Sequence, residues 1–375
     1  MPRMTEKELQ EVTSQLISFP TTADNHEAVA ELYTYIESQL ALPELVFTYF
    51  ERAGVRSQLV HHQEYDPLKP ALLINGHIDV VPAGQDQFKP RRDADKLFGR
   101  GAADMKGGAT AAIAAFKQLH QNHPGLNVAL LFTADEEVGG ANGAGYLVEQ
   151  GLRPEFVAVV DGPQRDQFKI TNNAKGGLWL KVEARGASGH ASRPWLAESA
   201  MDKVLEAIQV IKRHIGPLKP DEWSSTCSTA FVRTPNKTPN VVPDRAEAVL
   251  DVRFTESTAS AAQTLLADLQ ERVPDVALTS LTDVPLLQTD ESNALVQAFQ
   301  AAASDVIGKK VPFAFNHAAS DARYFGELSI PTVVMGVLGD NWHSERESAS
   351  LASIQGLPEI LVAFVERNKE VFEKD

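Results

Sequence analysis

Three apolar runs, each stopping at a histidine or an acid, most constrain what this chain can fold into. Residues 71–77, 128–133 and 156–160 are nearly continuous stretches of strand-forming side chains, the pattern of strands covered on both faces. They run into Asn75-Gly76-His77-Ile78-Asp79, Thr133-Ala134-Asp135-Glu136-Glu137 and Asp161-Gly162. Ala-rich residues 105–119 and residues 143–149 read as helices between them. Upstream, Leu9, Val12 and Leu16, then Val29, Leu32, Ile36 and Leu40, mark helices over 5–18 and 25–41, with Pro20 interrupting. Residues 45–50 and 57–61 are further strand candidates. Strands alternating with helices predict an α/β layer, a sheet lying between helices.

From about Gly176 the texture changes. Residues 178–184 alternate apolar with polar, as a half-exposed antiparallel strand does. A helix over 197–215, strands near 228–232 and 248–254, and a helix over 259–272 complete a β-α-β-β-α-like block, read as an inserted α+β domain. After Pro285 the first texture returns, with helices at 293–303 and 353–368 and a strand at 330–336. The expected domains are therefore 1–175 and 286–375, forming one body, and 176–285 as a smaller lid. A chain of 375 residues suits two domains at roughly 150 residues each.

Composition excludes several partners. With 35 basic against 50 acidic residues the net charge is −15, which disfavours nucleic acid and anionic membrane surfaces. Cys227 is the single cysteine, so an intrachain disulfide and a thiolate metal cluster are both ruled out. Any metal ligands must be His, Asp or Glu. The first residues lack the apolar stretch of a signal peptide, and no run approaches the ~18 apolar residues of a membrane span, so the expected location is cytoplasmic.

The chemistry-bearing residues cluster where predicted elements end. His77 and Asp79 are two apart in an extended chain and share a side, as a metal-binding imidazole and its orienting carboxylate do; a surface pair at a turn is the plainer reading. Asp104, in Gly99-Arg100-Gly101-Ala102-Ala103-Asp104, stands where a dinucleotide loop needs its third glycine, and no buried strand leads into it. It is either a helix N-cap or a ligand. Asp135, Glu136 and Glu137 repel one another at the end of a strand unless solvated or compensated by a cation; with a cation, one glutamate is a ligand and its neighbour a base. Adding Asp161 and His343 gives His77, Asp104, Glu137, Asp161 and His343, an all-N/O set suited to two zinc ions.

In this order the motifs resemble the M20 family of zinc amidohydrolases and metallopeptidases, and the resemblance covers nearly the whole chain. It includes Gly76-His77-Ile78-Asp79, Gly99-Arg100-Gly101, Asp104-Met105-Lys106-Gly107 and Asp135-Glu136-Glu137-Val138-Gly139. It continues through Gly186-Ala187-Ser188-Gly189-His190, Asn240-Val241-Val242-Pro243, Asp251-Val252-Arg253, Ser320-Asp321-Ala322-Arg323 and His343. The resemblance implies a zinc-hydrolase domain with a mixed sheet and an inserted ferredoxin-like lid that makes a homodimer. It implies that His77 and Asp161 hold one zinc and Glu137 and His343 the other, with Asp104 bridging and its peptide to Met105 cis. Cobalt or manganese are possible substitutes. Asp79 is implied to orient His77, Glu136 to be the general base, and His190 of a partner subunit to stabilise the oxyanion. Arg253, Asn240 and Ser320 are implied to bind a small amino-acid-like substrate.

Departures bear on the substrate. Ala174-Lys175-Gly176 lacks the arginine pair of desuccinylase-like members, Ala318-Ala319-Ser320-Asp321 lacks a loop hydroxyl, and Arg346 replaces a polar residue before Glu347. Asp161 stands where deacylases more often have Glu. The expectation is a small-acyl amino-acid deacylase of the acetylornithine deacetylase kind. A dipeptidase or aminopeptidase acting on free-amine peptides is the alternative, and an inactive relative serving as a binding protein is a third reading.

Overall fold

The computed structural model describes residues 3–162, 164–255 and 261–373. The chain divides into two compact units: Met1–Asn172 with Thr289–Ala314 and Ser320–Asp375, and Asn173–Gln288 with Phe315–Ala319. The short Phe315–Ala319 segment groups with the second unit, whereas the sequence reading left it in the first.

The first unit is built on a mixed sheet. Leu72–His77 lies between Val128–Thr133 and Phe156–Val159 and is parallel to both; Thr332–Val334 adds parallel to Phe156–Val159. Val55–His62 pairs antiparallel with Val128–Thr133 and with Leu45–Arg52. One face of the sheet (Leu72, Ile74, Leu130, Phe132, Phe156 and Ala158) joins a core with the helices Glu6–Ser18, His26–Gln39, Gly107–Asn122, Ala294–Ile307 and Leu351–Arg367. The opposite face (Leu59, Leu73, Leu131, Val157, Val159) is equally buried. Covering both faces is what the unbroken apolar runs required. Phe156, Phe299 and Phe364 meet with ring centroids 5.2–6.4 Å apart, and truncating one such ring to alanine costs about 3–5 kcal/mol. Because four of the strands are parallel neighbours, their carboxyl ends open on one edge, the place where open α/β sheets carry sites.

The second unit is a β-α-β-β-α-β fold. Its antiparallel sheet has Thr226–Arg233, Arg245–Phe254, Gly176–Arg185 and Ala277–Val284 side by side, the 2-3-1-4 order of a ferredoxin-like domain. Leu178, Leu180 and Val182 alternate inward to pack with Val204, Ile208 and Ile211 of the helix Ala200–Ile215.

Local differences have local causes. The helix expected from residue 105 begins at Gly107, because Ala102–Lys106 is an irregular bend with non-helical φ/ψ at Asp104 and Met105. The helix expected from 197 begins at Ala200, with Ser199 as its N-cap accepting from the Asp202 N–H. The helix expected over 259–272 is seen as Ala261–Arg272, and residues 256–260 lie outside those described. Among the described residues no helix is long and apolar enough to cross a membrane.

Candidate metal centre

Three of the four parallel strands each deliver one piece of the site. His77 is the last residue of its strand. Glu136 and Glu137 form the turn after Val128–Thr133, and Asp161 follows Phe156–Val159. Asp104 comes from the bend before the Gly107–Asn122 helix, and its peptide to Met105 is cis. That bend is seated by small residues. A Cβ on Gly76 would meet Met105 Cε at 2.5 Å, and one on Gly108 would meet the Val160 carbonyl oxygen at 2.1 Å. The two glycines let the Asp104 bend close onto the ends of two strands. His343 sits in a loop between Gly339–Asp340 and Ser348–Ser350, in the left-handed region at φ 63°.

The side chains converge into two groups that share one residue: His77, Asp104 and Asp161, and Asp104, Glu137 and His343. Asp104 faces both. Its Oδ1 is 3.3 Å from His77 Nε2, and its Oδ2 is 3.1 Å from His343 Nε2. Asp161 Oδ1 lies 3.8 Å from His77 Nε2, and Glu137 lies 3.2 Å from His343 Nε2. Two ligand atoms on one tetrahedral zinc are separated by roughly 3.3 Å, given bonds of about 2.0–2.1 Å.

The tautomer of His77 tests whether a cation fits. Its Nδ1 lies 3.0 Å from the Asp79 carbonyl oxygen, which accepts the ring proton. Nε2 then turns a bare lone pair toward Asp104 and Asp161, and this buried atom has no hydrogen-bond partner. Acceptors facing acceptors in a buried pocket require a positive charge between them. Where no ion supplies that charge, the ring itself takes it up as an imidazolium. Burial works against a charged His77, but Asp104, Asp161 and Asp79 outweigh it and hold the ring well above its ordinary range. Hydrogen bonds with Asp104 and Glu137 raise His343 to about 10. Both groups of residues thus favour positive charge, and the all-N/O donor set suits a divalent metal.

The neighbours of the cluster hold it in shape. The Asp79 carboxylate, fully buried, accepts the N–H groups of Glu136 at 3.2 Å and Glu137 at 3.0 Å. It therefore positions the turn of the two glutamates, while its backbone carbonyl makes the shortest contact with His77. Asp135 Oδ2 closes the same turn by accepting from Asn142 and Gly143 at 2.8 and 3.1 Å. Arg323 and Tyr324 both donate to the Gly139 carbonyl oxygen, and Thr133 donates to Asp321 at 2.7 Å. The Ser320-Asp321-Ala322-Arg323 motif thus braces the glutamate turn; Ser320 itself is buried, and its carbonyl accepts from Arg323 N. Burial pushes Glu136 well above the usual carboxylate range, with His77 and Arg323 opposing and Asp161 and Asp321 reinforcing the shift.

The remaining candidates lie in the second unit. His190 pairs with Val241 across a short two-stranded ladder, and the Asn240 carbonyl accepts from Ala191 N at 2.9 Å, so His190 and Asn240 are neighbours. His190 Nδ1 accepts from Ser192 N at 3.2 Å, which leaves Nε2 carrying the proton and exposed. Arg253 is held bidentately by Asp251 at 2.7 and 3.0 Å. Glu347 and Arg100, which stand in or beside the family motifs but carry no role in the sequence, are both buried beside the Asp104 bend. Nothing in their spacing announces a contact across 247 positions.

Imidazoles and carboxylates gathered at the carboxyl ends of parallel strands are able to hold a metal ion and to move a proton beside it. Residues 73–367 match the profile described as Peptidase family M20/M25/M40, and the chain belongs to that family. It is 30% identical over 313 residues to a succinyl-diaminopimelate desuccinylase of Zymomonas mobilis, covering 78% of this chain and 80% of that protein. It is 29% identical over 315 residues to the enzyme of the same name from Gluconobacter oxydans, covering 79% and 81%. Among solved structures, a tripeptidase from Staphylococcus aureus superposes over 100% of both chains, with a TM-score of 0.78 at 17% identity. With this family and these relatives, the chain is a metal-dependent hydrolase of amide bonds.

Proposed function

We propose that this protein is a dinuclear zinc deacylase that hydrolyses the amide bond of a small N-acyl amino acid. The observation that carries the reading is Asp104, whose two carboxylate oxygens face two different histidines. His77 and Asp161 would hold one ion, Glu137 and His343 the other, and Asp104 both; cobalt or manganese are expected to substitute. When bound, such a pair acidifies water and polarises the substrate carbonyl.

The chain's own residues do the rest. Glu136 takes the proton of the attacking water on a carboxylate oxygen and delivers it to the departing amine nitrogen. Burial raises its pKa above the usual carboxylate range, which makes it a stronger proton acceptor. Asp79 keeps Glu136 and Glu137 on one turn so that base and ligand stay in register. His190 would donate its Nε2–H to the oxyanion from a second copy of the chain, in a homodimer formed through the 176–285 lid. Arg253, Asn240 and Ser320 are the proposed substrate contacts, and Arg253 would bind a carboxylate with the donors that Asp251 leaves free.

The curated relatives are named as desuccinylases, but Lys175 in place of an arginine pair and the missing loop hydroxyl favour a smaller acyl group. A dipeptidase is the second reading, supported by Asp161 in place of Glu. Glu136→Gln is expected to keep its metal and lose several orders of magnitude in kcat. Assaying amine release from N-acetyl amino acids, N-succinyl amino acids and free dipeptides, with a chelator control, separates the readings. Turnover that survives in Glu136→Gln would remove the assigned base.

A further inference from the structure

We infer that Glu347 is a positioning residue for the shared ligand: its carboxylate fixes the bend that aims the two oxygens of Asp104 at two separate cation positions. The inference rests on the dinuclear reading and extends it to a residue that touches neither cation position.

The Glu347 side chain is 0% exposed, and Oε1 accepts two backbone N–H groups, Ala103 at 3.1 Å and Asp104 at 3.0 Å. Its Oε2 is paired with Arg100, whose side chain is 4% exposed. The carbonyl oxygen of Glu347 accepts from Gly99 N at 3.2 Å, and the following strand Ser348–Ser350 is zipped antiparallel to Lys96–Phe98. Both ends of the Gly99–Asp104 bend are therefore anchored on one residue. Hydrogen bonds to a charged acceptor are about twice as strong as neutral ones, and a peptide N–H held at Asp104 itself limits rotation of the residue that carries the bridging carboxylate. Four positions upstream, the same segment supplies His343. A single stretch of chain thus provides a ligand and the clamp on the ligand it shares. Asp79 does the same for the glutamate turn, accepting two successive N–H groups beneath Glu136 and Glu137. The two clamps are the cluster's supports, one under each acidic segment.

The alternative is that Glu347 only stabilises the fold. Asp95 supplies an exposed control beside the Lys96–Phe98 strand: its carboxylate also fixes neighbouring backbone and side chain, accepting from Ala352 N at 3.1 Å and Ser350 Oγ at 2.7 Å, and it touches no ligand. The test strips metal from wild type, Glu347→Gln and Asp95→Asn, then measures zinc affinity and stoichiometry by calorimetric titration and the Tm of the metal-free proteins. Glutamine turns an amide NH2 toward Arg100 or toward the two N–H groups, so the clamp fails without a change in volume. The expected result is zinc affinity weakened about 10- to 100-fold in Glu347→Gln, the range for residues that orient ligands, at both positions, with Asp95→Asn unchanged. The milder Arg100→Lys should weaken zinc binding by a smaller factor, and it serves if Glu347→Gln does not fold. Wild-type zinc affinity in Glu347→Gln, or in Arg100→Lys if that variant has to stand in, would overturn the inference. So would an equal loss of affinity in Asp95→Asn. A wild type that binds fewer than two equivalents would instead overturn the dinuclear reading beneath it.

Discussion

The two groups of candidate ligands share Asp104 but are built differently. His77 and Asp161 are 1% and 7% exposed, and both sit at the ends of parallel strands whose positions the sheet fixes. The His343 side chain is 48% exposed and rides on a loop, and Glu137 lies in a turn held by Asp79. The inner half is thus organised by the core, and the outer half by hydrogen bonds between loops. Preorganisation therefore need not be uniform within one site: the inner position should bind metal more tightly, and the outer one should be the more easily emptied.

Substitutions in each half should separate the two. The largest effect is expected from His77→Ala, which removes the inner imidazole and leaves Asp104 and Asp161 repelling each other. Tight metal binding and activity should both fall by at least about a thousandfold, whereas His343→Ala should keep one tight equivalent; titration of the two variants side by side shows which half is dominant. Asp79→Asn comes next. An amide cannot accept on both oxygens, so the glutamate turn loosens, and metal affinity at the outer position should drop about 10- to 100-fold, measurable by chelator competition. Gly108→Ala probes the inner half through packing, since its Cβ would lie 2.1 Å from the Val160 carbonyl oxygen, next to Asp161. A loss of about 1–3 kcal/mol in denaturant unfolding is expected, the usual cost of overpacking.

The smallest effect is a background that any acid titration of the site must subtract. Burial lowers the pKa of His120 to about 4, and its Nε2 donates to the Val128 carbonyl at 3.2 Å as a neutral ring. Unfolded, the same ring titrates near ~6.5. The unfolded chain therefore binds the extra proton between those values. Stability contributed by His120 is complete above pH ~6.5 and is lost as pH falls toward 4, by about 3 kcal/mol at most. His120→Leu should flatten this slope in urea unfolding measured across that pH window.

Much of the cluster was legible because its residues interrupt strong patterns. His77, Glu137 and Asp161 follow apolar runs, so a polar residue there stands out at a strand end. Asp104 was ambiguous between cap and ligand, because the bend before Gly107 has no periodicity to read. Glu347 was invisible in this sense: its partners are Arg100 and the backbone of Ala103 and Asp104, and backbone N–H groups leave no mark in a sequence. The edge strand Ala277–Val284 was missed for a different reason. Its residues, Ala-Leu-Thr-Ser-Leu-Thr-Asp-Val, do not alternate apolar with polar, and the pairing register shifts between Ser280 and Thr282, so no period of two was there to read. The Ser348–Ser350 strand is short, and its role in carrying Glu347 emerges only from its pairing with Lys96–Phe98.

Calorimetric zinc titration of the metal-stripped wild-type chain, with Asp104→Ala beside it, counts the tight metal sites and shows whether Asp104 is shared between them. The account predicts two equivalents per chain, filling in two steps of unequal affinity, and loss of both steps as tight events in Asp104→Ala. A single equivalent in wild type, or two tight equivalents that survive without Asp104, would contradict it.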